Sequence, residues 1–331
     1  MIGKEILFIS PEFFSVDSSI ISVLTSRGAH VIWQDERSVK SSFARALNSV
    51  SPVIFYWHSN RYYKKIIKSV HQNVDIILVI KGEMVSRKTI FEFRKRWPNA
   101  EIILYLYDPV KNIKGILQKV DLYDRVISFE PGDCDKYGFE FRALFCDFRQ
   151  ENNINTENKK YDICFYGTMY SDRFNVIYQM KRICKTLGLS FYSFCFLRGK
   201  FMAFYYWFTN FAFRKLGIKA VSFVPKKHSE LMKIINNSEI ILDVNDINQQ
   251  GLTIRTLETL ISGKKMITTN ADIKNYDFYN SKNICVVDRE NICIPQKFLD
   301  GTYEPISSEI LRKYTDEGWV EDVFGRYKLQ K

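Results

Sequence analysis

The chain of 331 residues is longer than one hydrophobic core usually fills, so two domains are expected. Its 46% hydrophobic and 26% charged residues are ordinary globular composition and exclude a disordered chain, and no apolar run is long enough to cross a bilayer. The formal charge of +11 points to an anionic partner; with no zinc-finger or RNP-like run, nucleotide phosphates or an anionic membrane surface are expected, and no nucleic acid.

The N-terminal "MIGKEILFIS" lacks a basic segment ahead of a long apolar one, so it reads as a first strand over 5–10 and not as a secretory signal. An amphipathic segment near 17–27 and the strand "HVIWQD" (30–35) follow. "VDIILVIKG" (74–82) leads into a helix over 86–98, capped by Ser86 and stopped by Pro98. "EIILYLYD" (101–108) and "RVISFE" (125–130) are further strands. Continuous apolar runs alternating with helical patterns predict a parallel sheet buried on both faces and wound by right-handed crossovers. The polar, asparagine-rich "RQENNINTENKK" (149–160) interrupts the pattern, so an N-terminal domain is expected over 1–150 and a linker over 151–160.

Alternation restarts with "YDICFYG" (161–167), a helix over 171–188 stopped by Gly188, and "LSFYSFCF" (189–196). A helix over 229–238, "EIILDVN" (239–245), a helix within 251–263, "KKMITTN" (264–270) and "NICVVD" (283–288) complete a second domain over 161–302. The tail, 303–331, reads as two short helices broken at Gly318 that pack back across the domains. The expected fold class is α/β: two Rossmann-like doubly wound domains facing a cleft, with a C-terminal helical tail. Ligands of such sheets bind outside the carboxyl ends of the strands.

The seven cysteines, at 134, 146, 164, 184, 195, 285 and 293, include no CxxC pair, which argues against a disulfide framework or zinc site and for a cytoplasmic location. The histidines at 30, 58, 71 and 228 have no metal-ligand spacing. "DVND" (243–246) ends a strand with D-x-x-D spacing, so Asp243 reads as a strand-end residue and no metal or other cofactor is expected.

In "GLTIRTLETLISGKKMITTN" (251–270), Ile254, Leu257, Leu260 and Ile261 form an apolar stripe, while Arg255, Glu258 and Ser262 fall on another side. Gly263 suits a C-terminal cap. The Arg–Glu pair is either a solvated face or the wall of a site for a phosphorylated ligand. The second is expected from position: the helix follows a strand, its free N–H groups attract anions, Gly251 permits close approach, and Thr253 can cap or donate. Similarly, Gly167 and Thr168 end a strand and Arg173 begins the next helix, where it either pairs with Asp172 or faces a ligand.

A Gly-Leu-Thr segment running into a helix with an inward Glu, a glycine stop and "ITTN" resembles the nucleotide-sugar site of GT-B glycosyltransferases. More closely, "DERS" (35–38), "IKGE" (80–83), "YLYD" (105–108), "YDICFYGTMYSDR" (161–173), "GLTIRTLE" (251–258), "KKMITTN" (264–270), "YDFYN" (276–280) and "NICVVDREN" (283–291) resemble a glycosyltransferase family of bacterial capsule and lipopolysaccharide O-antigen gene clusters. The pieces keep the family's order and cover most of the chain. The resemblance implies a nucleoside diphosphate sugar as donor, held in the second domain, and Glu258 as the carboxylate on the nucleotide ribose. The second acid that many retaining members carry eight positions earlier is Gln250 here, which can bond sugar hydroxyls but supplies no charge. Arg173 and Arg255 would face the diphosphate, since a planar guanidinium matches phosphate oxygens and stabilises the leaving charge without a metal.

The resemblance also implies a lipid-linked or growing surface-polysaccharide acceptor, and an inverting transfer needs a base for its hydroxyl proton. Glu83 and Asp108, at strand ends, are the candidates, ahead of Asp17, His30 and His58. "FLRGKFMAFYYWFTNFAFRKLGIK" (196–219) packs Phe201, Phe204, Tyr205, Tyr206, Trp207, Phe208, Phe211 and Phe213 between Arg198, Lys200, Arg214, Lys215 and Lys219. It reads either as a buried helix or as a segment lying in an anionic inner-membrane surface through Phe204, Trp207 and Phe208. The rival readings are a nucleotide-sugar 2-epimerase of the same architecture and a non-catalytic membrane-peripheral module.

Overall fold

The computed structural model describes residues 1–12, 16–37, 56–147 and 160–325. The chain divides into two compact units: Met1–Asp147 with the segment from Lys313 on, and the intervening chain ending at Arg312. The expected linker, except Lys160, lies outside the described residues.

The first unit runs β1 (Glu5–Ser10), α1 (Val16–Ser26), β2 (His30–Asp35), α2 (Tyr56–Ser69), β3 (Ile76–Ile80), α3 (Arg87–Arg96), β4 (Glu101–Leu106), β5 (Arg125–Ser128), α4 (Pro131–Tyr137) and β6 (Glu140–Phe141). The six strands among its described residues are all parallel, in the order β2-β1-β3-β4-β5-β6. Strand β3, Ile-Ile-Leu-Val-Ile, is buried along its whole length, as a parallel strand covered on both faces must be. Ser86 caps α3 by accepting from the Thr89 N–H at 3.1 Å. Strand order reverses between β1 and β3, which marks the crevice at their carboxyl ends as a ligand position.

The second unit runs β7 (Tyr161–Thr168), α5 (Arg173–Leu187), β8 (Phe191–Phe196), α6 (Lys200–Thr209), α7 (Phe211–Leu216), β9 (Val221–Ser222), α8 (His228–Asn236), β10 (Ser238–Asp243), α9 (Ile254–Ile261), β11 (Lys265–Thr268), β12 (Ile284–Val286), α10 (Gln296–Asp300) and α11 (Ser308–Lys313). Its sheet is also wholly parallel, in the order β12-β11-β10-β7-β8-β9. The order reverses between β7 and β10, so Gly167, Thr168 and Asp243 stand at the switch point. Two doubly wound parallel α/β units are therefore present.

The last helix, α12 (Asp316–Phe324), returns to the first unit. Trp319 is fully buried there, edge-on to Tyr105 at 5.0 Å, and Arg27 pairs with Glu321 at 2.8 Å. The break between the tail helices falls at Tyr314–Thr315, not at Gly318. Gly318 sits in the first turn of α12, where its N–H donates to the capping Thr315 hydroxyl at 3.2 Å, so the glycine is not a breaker there.

Candidate functional site

At the switch point of the second sheet, α9 is buried on every side from Arg255 to Ile261. The solvated-face reading of its Arg–Glu pair is thereby overturned: Arg255 and Glu258 are both buried and bond to different partners. Thr253 caps the helix, accepting from the Thr256 N–H at 3.1 Å. Asp243, at the end of β10 and wholly buried, accepts from the Thr253 hydroxyl (2.9 Å), the Thr256 hydroxyl (2.7 Å) and the Arg255 guanidinium (3.1 Å). One carboxylate thus anchors both the helix start and its arginine.

The Arg255 guanidinium lies over the rings of Phe165 and Tyr166 at 5.0 and 4.8 Å. It also crosses the end of β7 so closely that a Cβ added at Gly167 would meet Nη2 at 2.3 Å. Arg173, the first residue of α5, is buried too; it donates to the Thr168 carbonyl at 2.8 Å and stacks on Tyr170 at 4.0 Å. Its expected alternative partner, Asp172, binds Arg289 instead, at 3.0 Å. Burial, and next the charge of Arg255, bring the Arg173 pKa down to about 10. Two cations are therefore held close enough to repel, and the Nε of each is buried with no hydrogen-bond partner among the described residues. Unsatisfied buried donors, and like charge that Asp243 offsets only in part, are what an anion would correct.

Glu258 lies one turn deeper. It accepts from the Tyr166 hydroxyl at 2.5 Å, and His228 Nδ1 approaches its other oxygen at 3.5 Å. Burial raises its pKa against the opposing effects of Tyr166, His228 and Arg255. Gln250 and Gly251 lie in the loop ahead of α9; Gln250 is exposed, and Asn270 Nδ2 donates to its carbonyl at 2.9 Å and to that of Gly251 at 3.4 Å. Arg289 ties the loops after β7, β10 and β11 together, through Asp172, the Asn245 side chain (2.8 Å) and the Thr269 hydroxyl (3.0 Å). Asp243, Tyr166, His228 and Arg289 had no assigned part in the sequence reading. An acid at the end of an apolar run, ten residues before a capping Thr, was the one available signal.

At the carboxyl ends of β3 and β4 in the first sheet, Glu83 and Asp108 are held together through a residue the sequence reading missed. Lys81 adopts a left-handed φ of 72°, and its ammonium lies 3.4 Å from Glu83 and 3.1 Å from Asp108. Burial alone would lower the Lys81 pKa, but Asp108, Glu83 and Glu36 outweigh it and the pKa is raised. Beneath this turn, the buried Lys119 donates to the carbonyls of Gly82 and Val85, both at 2.6 Å, and of Glu83 at 3.2 Å. The buried Glu36 accepts from the Met84 N–H at 2.9 Å. Of the weaker candidates, His30 is exposed at the start of β2, the wrong end of the sheet; His58 is exposed on α2, and Asp17 lies in the first turn of α1.

The aromatic segment is buried in part and exposed in part. Tyr206 and Phe213 are buried against Phe174, at 5.0 and 4.9 Å, and belong to the core. Phe201, Phe204, Tyr205, Trp207, Phe208 and Phe211 are exposed, Phe201 by 81%, beside Lys200, Arg214 and Lys215. Among the described residues, no helix is long and apolar enough to cross a membrane.

No family model matches this sequence, and no curated protein matches it. Solved structures do match. HepE from Anabaena, in complex with UDP and glucose, is 10% identical with a TM-score of 0.56, over 98% of this chain and 99% of that one. The lipopolysaccharide outer core galactosyltransferase WaaB is 11% identical, TM-score 0.55, over 97% and 99%. The UDP-GlcNAc 2-epimerase of Methanocaldococcus jannaschii, in complex with UDP-GlcNAc and UDP, is 13% identical, TM-score 0.54, over 97% and 99%. At such identities the likeness is one of fold. The chain has the two-domain α/β fold shared by GT-B glycosyltransferases and these epimerases.

Proposed function

We propose that the protein is a metal-independent glycosyltransferase that moves a sugar from a nucleoside diphosphate donor to a lipid-linked or surface-polysaccharide acceptor. The observation that carries the reading is the pair of buried guanidiniums, Arg173 and Arg255, each with an unsatisfied Nε, at the strand-order reversal of the second sheet. A diphosphate would take up those donors, and the charge developing on the leaving group would meet cations already fixed in a buried site. In this reading Glu258 accepts from the ribose hydroxyls, the Gly251–Thr253 turn abuts the phosphates, and Gln250 meets the donor sugar. Glu83 or Asp108 takes the acceptor proton, with Lys81 holding the two carboxylates in place.

Titration with a panel of nucleoside diphosphates tests the reading, and no binding by any member would leave a non-catalytic module. Glu258→Ala is expected to weaken the bound nucleotide by roughly 1–3 kcal/mol, the value of a hydrogen bond to a charged group. Unchanged affinity would take Glu258 out of the site. The fold of the Methanocaldococcus enzyme keeps the 2-epimerase as second reading; a UDP-sugar incubated without acceptor and followed by NMR would reveal a 2-epimer only in that case.

The exposed aromatic face of α6 and α7, with its basic neighbours, would hold the enzyme on the inner face of an anionic membrane. Replacing Phe204, Trp207 and Phe208 by serine is expected to release the protein from anionic vesicles at unchanged melting temperature. Early melting would mean that the face is covered in the native state.

A further inference from the structure

A groove of about 410 Å³ lies between α2 and α3 of the first unit. Trp57, Asn60, Arg61 and Lys64 line it from one face of α2, and Lys88 and Glu92 line it from α3. Its floor is fixed: the Asn60 carbonyl oxygen accepts from the Ser86 hydroxyl at 2.5 Å and the Thr89 hydroxyl at 3.1 Å, and Tyr63 is buried edge-on to Phe93 at 6.1 Å. Its rim is open, with the Trp57 indole 72% exposed.

Among the described residues, the cations of the groove are unpaired: Arg61, Lys64 and Lys88 form no ion pair there, whereas Lys4, Arg87 and Arg94 of the same unit bind Asp75, Asp121 and Asp124 at 2.9, 2.8 and 2.7 Å. Glu92 is the one carboxylate in the lining, against three cations. Position adds a second argument. Lys88 and Thr89 stand in the first turn of α3, just after the Lys81–Glu83 turn, and Asn60 near the start of α2 bonds to that turn of α3. The groove therefore opens at the carboxyl edge of the sheet, where the candidate base stands.

We propose that this groove docks an acidic glycan, a sugar chain carrying ionised groups. The exposed indole offers a flat face to a pyranose ring, the cations pair with the acidic groups, and the volume is of the size that holds a small ligand. The choice of a glycan over another polyanion rests on the glycosyltransferase reading. The groove then selects the acceptor, and donor binding at the second sheet is independent of it.

Full-length protein titrated with oligogalacturonate, with its methyl ester and with a single-stranded oligonucleotide tests the proposal, alongside UDP in a separate titration. Oligogalacturonate is expected to bind, its neutral ester at least about tenfold more weakly, and Trp57→Ala and Lys88→Glu each to weaken the acid form about tenfold while leaving UDP affinity unchanged. Both positions are exposed, so the variants fold. Equal binding of the ester, preference for the oligonucleotide, wild-type affinity in both variants, or no glycan binding would each overturn it. UDP binding without glycan binding sinks the groove and spares the enzyme reading; glycan binding without UDP binding does the reverse.

Discussion

Arg255→Met is expected to destabilise the second unit by about 3–5 kcal/mol, because it removes the cation from a carboxylate that has no exposure at all. Asp243 would keep its bonds from Thr253 and Thr256, but two hydroxyls do not neutralise a buried charge. The double variant Asp243→Leu, Arg255→Met removes both charges and should recover most of the loss, as other buried ion pairs replaced by apolar residues do. Gly167→Ala is the gentler companion, since its methyl group drives Nη2 from its seat at 2.3 Å without deleting the charge. Urea unfolding of the three variants checks the argument. Arg255→Met within about 1 kcal/mol of wild type would mean that Asp243 is solvated and that Arg255 stands outside any closed site.

The fold was legible in the sequence where the periodicity was unambiguous. "EILFIS", "HVIWQD" and "YDICFYG" became β1, β2 and β7 within a residue; β1 and the middle of β7 are buried and therefore continuously apolar, whereas the half-buried edge strand β2 shows only a short apolar centre. Helix α2 was not read from the sequence although it is amphipathic: Lys64, Lys65 and Lys68 share the exposed side, but the buried side at Ser59, Tyr63 and Ile66 holds a single aliphatic residue. The tail break was misread because glycine usually ends a helix, whereas in the first turn of α12 an N–H for Thr315 matters more than propensity.

The site was legible by residue type but not by burial. Arg173, Arg255 and Glu258 were chosen for their position after strands; that all three are buried depends on strands and helices far apart in sequence. Asp243 shows why. Read as an ordinary strand end, it proves to be the acceptor for three donors from the following loop and helix, a relation that only the β10–α9 packing creates. Tyr166 points the same way: an apolar strand residue by pattern, it is a hydrogen-bond donor to Glu258 from 92 residues away.

The second large effect is expected in the first unit. Lys119→Met should cost about 3–5 kcal/mol, since it strands the buried carbonyls of Gly82 and Val85 and takes from Glu36 one of the two cations near it, leaving only Lys81. The turn itself cannot relax cheaply: Lys81 and Gly82 are both left-handed, and a Cβ at Gly82 would meet Leu104 at 2.8 Å. Glu36 gives the test a pH dependence. Burial raises its pKa to about 7, above the ordinary carboxyl value near 4.5, so the native state holds this proton more tightly than the unfolded chain. Its contribution is fully present below pH 4.5 and is lost as the pH rises through about 7. Glu36→Gln keeps an oxygen for the Met84 N–H and removes the titration, so the wild type should lose a few kcal/mol relative to this variant between pH 5 and pH 8. Parallel urea curves for the two proteins across that range would mean that Glu36 stays solvated when ionised, and the turn carrying Glu83 would then be held by Lys119 alone.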